Sequence, residues 1–164
     1  MTETRAETIE KVNFLIKDIR IAMLTTIDRG VFRSRPMATQ EAEFDGDLWF
    51  FTSKLTHKAE EIEKDNRVNV SFSEPDDNRY VSLSGTAALV DDREKIEELW
   101  SPTYLAWFPK DLEDPNIILL KVSVEHAEYW DATSSTLVEA IGLLKSLVTG
   151  ERAGGGEHVV LNFA

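Results

Sequence analysis

Turn chemistry set between β-branched runs is the feature that most constrains how this chain can fold. Residues 21–27 form a compact apolar stretch rich in Ile, Leu and Thr, followed by Asp28, Arg29 and Gly30. Glycine tolerates the positive φ that tight hairpin turns need. Residues 31–39 then return as a second strand. Residues 41–44 and 48–52, around Asp45, Gly46 and Asp47, predict another hairpin. Val68, Val70 and Phe72 alternate with Asn69, Ser71 and Ser73, and that period of two marks a half-buried strand. Residues 80–90 predict a long strand with Gly85 as a bulge candidate. Residues 117–124 and 127–130 are the last strong strands. Consecutive hairpins without regular long helices oppose a parallel doubly wound sheet. A mainly β chain is expected, as a small antiparallel barrel with peripheral helices.

The helices are short. Thr4, Arg5, Ala6 and Glu7 fit a capping box, and Ile9, Val12, Ile16 and Ile19 follow at helical spacing. Residues 55–65 predict a Lys- and Glu-rich helix with Leu55, Ala59 and Ile62 on its thin apolar side. Asp91 to Glu94 open another, with acids complementing the helix dipole. Ile96, Leu99, Trp100 and Thr103 continue it, Pro102 should kink or break it, and Pro109 should end it. A final amphipathic helix is expected from Thr136, with Leu137, Ile141, Leu144 and Val148 on one face. Gly154, Gly155 and Gly156 make a hinge before residues 158–163. One domain spanning 1–164 is expected, with 133–164 an appended C-terminal helix and tail.

Charge and composition exclude several functions. The 18 Lys and Arg against 30 Asp and Glu give −12, which disfavours a nucleic-acid partner that needs clustered cations. No apolar run approaches the roughly 18 residues of a membrane span. The charged start lacks the apolar core of a signal peptide, so a cytoplasmic location is expected. There is no cysteine, which removes thiolate chemistry and disulfides. His126 and Glu128 could share a strand face, but two ligands make a poor metal site, and none is assigned. No phosphate-loop, dinucleotide or nucleophile-elbow motif occurs. No carboxylate pair stands out as an acid/base couple, so no catalytic residue is assigned.

Two segments stand apart. In Arg33, Ser34, Arg35, Pro36, Met37, Ala38 and Thr39, two arginines share one strand face. The proline signals an edge strand, or a place where a ligand replaces a neighbouring strand. In Phe51, Thr52, Ser53, Lys54, Leu55, Thr56, His57 and Lys58, hydroxyls and cations gather before a helix. That pattern suits a phosphate, although N-capping by Ser53 or Thr56 would explain the hydroxyls alone. Lysine at a helix N-terminus is unfavourable by a few tenths of a kcal/mol, which an anion would offset. Trp49, Trp100, Trp107 and Trp130 add a third feature, with Trp100, Tyr104, Trp107 and Phe108 crowded together. Such residues serve cores and interfaces, and can also flank a planar heterocycle.

The ordered set Ser34 to Met37, Leu48 to Ser53, Lys58, Val81 to Ala87, Trp100, Ala106 to Pro109 and Glu128 to Asp131 resembles the general stress protein 26 family. That family belongs to the pyridoxamine 5′-phosphate oxidase-like, FMN-binding split barrels. The resemblance covers roughly residues 5 to 132. It implies a six-stranded antiparallel split β-barrel that pairs as a homodimer, with FMN between subunits and FAD as second choice. Arg35, Pro36, Met37 and Ala38 would run along the isoalloxazine ring. Phe51, Thr52 and Ser53 would line the ribityl chain and phosphate, and Lys58 with His57 would hold the phosphate. Trp100, Trp107 and Phe108 would wall the flavin from the other subunit. The C-terminal Arg-x-His arrangement of the true oxidases is absent, so vitamin B6 oxidation is not expected. The implied function is a flavin-dependent oxidoreductase with a small-molecule redox partner, or a stress protein that binds flavin without turnover.

Overall fold

The computed structural model describes residues 4–131, 147 and 157–163. Helix α1 (Arg5–Ile16) starts as its sequence dictates. Thr4 Oγ1 accepts from the Glu7 N–H at 3.3 Å, and the Glu7 carboxylate accepts from the Thr4 N–H at 2.7 Å. Val12, Leu15 and Ile16 then bury one helix face against the sheet.

The strands are β1 (Ile21–Asp28), β2 (Val31–Ala38), β3 (Asp47–Ser53), β4 (Arg67–Glu74), β5 (Arg79–Val90), β6 (Ile117–Asp131) and β7 (Glu157–Asn162). Six of them form an antiparallel split barrel in the order β2-β1-β4-β5-β6-β3, and β7 pairs with β6. The β1–β2 hairpin forms as expected, with Gly30 at φ +80° in its turn. β2 and β3 end the order. Among the described strands they are not hydrogen-bonded to one another, and this seam is the split.

The second hairpin does not form. Residues 41–44 are not a strand, and β3 pairs instead with β6, from Asp47 opposite Ser123 to Ser53 opposite Ile117. Phe44 turns into the core, where its N–H donates to Asn13 Oδ1 of α1 at 3.0 Å and its ring meets Phe163 edge-on at 5.9 Å. Burying that aromatic, with its backbone satisfied by α1, outweighs a local strand pairing.

The expected strands 117–124 and 127–130 are one strand, β6, with a bulge. Ser84 faces His126 and Gly85 faces Val124, so Glu125 is the unpaired extra residue. The bulge sought at Gly85 therefore places its extra residue on the partner strand. Gly85 is needed because a Cβ there would overlap the Ser123 carbonyl oxygen. At the bulge the Val124 N–H donates to the Gly46 carbonyl, and the Phe163 N–H donates to the Glu125 carbonyl. β3 and β7 thereby share one edge of β6, on either side of the bulge.

α2 spans His57–Lys64, shorter than expected, and Leu55 lies outside it, 79% exposed. α3 (Arg93–Leu99) stops before Pro102, which opens a 3-10 turn over Pro102–Ala106. The helix expected over 136–148 and the hinge at 154–156 lie outside the described residues, Leu147 apart. No helix among the described residues is long and apolar enough to cross a membrane.

The core has two parts. The larger packs α1 against the sheet through Val12, Leu15, Leu24, Phe50, Val70, Leu83 and Leu120. The smaller gathers Phe51, Ile96, Tyr104, Phe108, Ile117 and Leu119, which stand between β3, β6 and the 3-10 turn. β3 serves both, since Leu48 and Phe50 alternate with Phe51.

Candidate functional site

A cleft of about 250 Å³ lies along the split. Pro36, Met37 and Ala38 of β2 form one wall. Phe51 of β3 and Tyr104, Trp107 and Phe108 of the loop after α3 form the other. Thr52, Ser53, Thr56 and Lys58 meet at the β3–α2 junction.

The aromatic wall is held by ring contacts within the smaller core. The Phe51 ring lies 4.6 Å from Tyr104 and 5.4 Å, edge-on, from Trp100, and Trp100 lies 6.3 Å from Phe108. Such contacts fix ring orientation as well as burying area. Trp107 is 62% exposed, so one of its faces is free. A second groove, of about 490 Å³, shares Ala38, Tyr104 and Trp107 with the cleft and adds Trp100, Gln40 and Thr39.

The hydroxyls at the junction are partly committed. Thr56 Oγ1 donates to the Ser53 carbonyl at 2.9 Å, and the Leu55 N–H donates to Ser53 Oγ at 3.2 Å. Thr56 occupies the N-cap position of α2 but makes no capping bond with its side chain. Simple capping therefore does not account for the first turn of α2.

Arg33, Arg35, Lys54 and Lys58 are the cations that the sequence placed near this site, and the first three are engaged elsewhere. Arg33 pairs with Asp28 at 3.1 Å, Arg35 with Glu61 at 2.7 Å, and Lys54 with Asp91 at 2.6 Å. Lys58 is half-buried and has no hydrogen bond or ion pair among the described residues. Burial pushes its ammonium below the usual lysine range, the Arg35 charge adds to that, and Glu61 opposes it. Burial also pushes the Tyr104 phenol up, against hydrogen bonding with the Gln40 side chain.

Of the residues singled out in the sequence, Pro36, Met37, Ala38, Phe51, Thr52, Ser53, Lys58, Trp107 and Phe108 line this cleft. Trp107 and Phe108 do so within one chain. Trp100 lines the adjoining groove and backs the aromatic wall. His57 is exposed and outside the lining. Arg35 is also outside it, because the buried Glu61 carboxylate needs a cation and holds the guanidinium. Tyr104 and Thr56 are additions. Tyr104 stood in the aromatic cluster, and Thr56 in the hydroxyl-rich run.

Among the described residues, Lys58 and Tyr104 are the titratable groups of the lining, with no histidine or carboxylate. Among the described residues no group of His, Asp and Glu could hold a metal ion. The cleft can grip a flat apolar body between β2 and the aromatic loop, and an anion at the β3–α2 junction.

Comparison with known proteins agrees with this architecture. The family model described as pyridoxamine 5′-phosphate oxidase like matches residues 7–154. The chain is 30% identical to general stress protein 26 of Bacillus subtilis over 134 residues, covering 79% of this chain and 92% of that protein. A structure described as a candidate general stress protein 26 from a Jannaschia species superposes with a TM-score of 0.77 at 27% identity, covering 96% of this chain and 99% of the other. A general stress FMN/FAD binding protein from Xanthomonas citri gives 0.68 at 32% identity, covering 79% and 92%.

Proposed function

This chain belongs to the pyridoxamine 5′-phosphate oxidase-like family, among the general stress protein 26 relatives, and from that premise we propose that it binds FMN in the cleft along the split and acts as a flavin-dependent oxidoreductase. The observation that carries this reading is Lys58. It is a half-buried cation with no hydrogen bond or ion pair among the described residues, beside Thr52, Ser53 and Thr56 in an aromatic-walled cleft. Keeping such a charge away from water costs free energy that an anionic ligand offsets.

The residues fit the cofactor. Pro36, Met37 and Ala38 would lie along one side of the isoalloxazine ring, with Phe51 and Trp107 opposite. Thr52, Ser53, Thr56 and Lys58 would take the terminal phosphate. A monoester phosphate suits the Lys58 cation and neighbouring hydroxyls, which favours FMN over FAD. The bound flavin would supply hydride or electron transfer, and the chain's part is to orient the ring and exclude water. A second reading is flavin binding without turnover. Reduction of bound flavin by NAD(P)H followed by reoxidation with an acceptor supports the first, and inertness to every reductant supports the second.

Titration of apoprotein with FMN, FAD and riboflavin tests the ligand. FMN should bind tightest, and riboflavin about 10-fold or more weaker because it forfeits the charge-assisted contacts. Equal affinities for FMN and riboflavin would remove the phosphate assignment.

A homodimer belongs to the same reading. The strand registers align Pro36, Met23, Ser71, Ser82, Glu128 and Val160 in one row across the sheet. Met23, Tyr80, Trp130 and Val160 are exposed on that face, where no other described element covers them. Pro36 belongs to both the row and the cleft, so a second copy seated there would border the ligand. Light scattering on the eluting protein should give twice the 18.6 kDa chain mass. Met23→Asp should shift it toward the monomer, and a monomeric wild type would refute the arrangement.

A further inference from the structure

Glu61 of α2 is only 5% exposed, yet it is a carboxylate. Its Oε2 accepts from Thr26 Oγ1 of β1 at 2.5 Å and from Arg35 Nη2 of β2 at 2.7 Å. Arg35 Nη1 also donates to Thr26 Oγ1 at 2.5 Å, and Arg33 Nε stands 3.8 Å from Glu61 Oε1. Thr26 is fully buried. One buried carboxylate therefore ties three elements together.

Two of those elements border the cleft. β2 carries Pro36, Met37 and Ala38 directly after Arg35. α2 carries Lys58 three residues before Glu61, so the two side chains are neighbours on the helix. Displacing α2 would part Glu61 from Arg35 and leave the buried Thr26 hydroxyl hydrogen without its acceptor, which is unfavourable. We propose that Glu61, Arg35 and Thr26 are positioning residues for this cleft: they lock Lys58 at a fixed place relative to the Pro36–Ala38 wall, where it would meet a phosphate. The ligand named here rests on the FMN reading, whereas the geometry rests on the chain's own contacts.

The groups facing Lys58 make the idea testable without a ligand. Arg35 from β2 depresses the Lys58 ammonium, and Glu61 from α2 supports it. Arg33 reaches Glu61 from the same side, and the adjacent His57 and Glu60 of α2 are exposed. Removing the carboxylate charge with Glu61→Gln should move the Lys58 titration to lower pH. Removing the guanidinium with Arg35→Met should move it to higher pH. A network that only braces the fold would move neither.

The experiment is NMR titration of isotope-labelled lysine side chains, with Lys58→Arg assigning the signal, alongside FMN and riboflavin affinities. Opposite shifts in the two variants are expected. FMN should bind Glu61→Gln about 10-fold more weakly, in line with one misplaced charged contact, while riboflavin changes less than about 2-fold. Where Glu61→Gln does not fold, Thr26→Val removes the hydroxyl at nearly constant volume and should lower the FMN-to-riboflavin affinity ratio. Unmoved Lys58 titrations, or an unchanged ratio in Thr26→Val, would overturn the proposal. If the wild type binds no flavin, the FMN reading fails, yet opposite titration shifts still support the network and absent shifts still overturn it.

Discussion

Lys58→Ala is expected to weaken FMN binding about 10- to 100-fold, the loss of one hydrogen-bonded charge worth about 1.5–3 kcal/mol. Riboflavin affinity should change by less than about 3-fold, because it has no phosphate to lose the contact. The bare Coulomb attraction at about 4 Å and an effective dielectric near 20 is about 4 kcal/mol, and desolvation of both ions brings the net below that. Part of the desolvation is already met in the free protein, where Lys58 is half-buried with no ion pair among the described residues. The chain's charge of −12 would otherwise repel a phosphate. The same contact gives a pH dependence. Burial holds the Lys58 ammonium below the usual lysine range, so FMN affinity should fall as pH rises through that lowered value, while riboflavin affinity stays flat. Fluorescence titration of both ligands across alkaline pH reads this. Equal losses for FMN and riboflavin in Lys58→Ala would contradict the assignment.

Gly85→Ala is expected to cost more than about 3 kcal/mol, in the range of severe core overpacking. The added Cβ would overlap the Ser123 carbonyl oxygen, lie 2.9 Å from the Ser123 carbonyl carbon and 3.1 Å from Val124 Cα. All three atoms are backbone of β6, so no side chain can swing aside. Relief would require opening the bulge at Glu125, where β6 passes from β3 to β7 as its edge partner. The melting temperature should fall by about 6–12 °C for a chain of this size. Thermal unfolding followed by circular dichroism measures it. A fall of less than about 2 °C, under 1 kcal/mol, would show that the bulge tolerates the methyl group.

Local signals in the sequence reported local structure well. The capping box at Thr4 and Glu7, the Gly30 turn and the alternation from Val68 to Phe72 all form as read. Each depends on residues a few positions apart. The pairing of β3 did not follow from such signals, because Leu48 meets Val122 across the chain. Gly46, at φ +116°, was rightly read as a turn residue. What lay beyond it depended on Asn13 and Phe163, which take up Phe44. The break read at 125–126 was likewise a bulge in a continuous strand.

The site was legible where its residues are consecutive. Pro36 to Ala38 and Phe51 to Ser53 lie on the two strands that flank the split, so each run delivers a wall. Arg35 stands outside the lining, held by Glu61 on α2, which reads in the sequence as a solvated Lys- and Glu-rich helix. Nothing in its spacing marks Glu61 as buried, and a buried carboxylate redirects any arginine within reach. Tyr104 was read only as part of the aromatic cluster. It sits between Trp100 and Trp107, and only the 3-10 turn shows which ring meets the cleft.

The absorption spectrum of the purified protein, after incubation with FMN and gel filtration, tests the central claim most directly. Retained flavin absorbance amounting to about one FMN per chain is expected if the proposed cleft holds one flavin. A colourless protein would contradict the assignment of FMN to the cleft between β2 and β3.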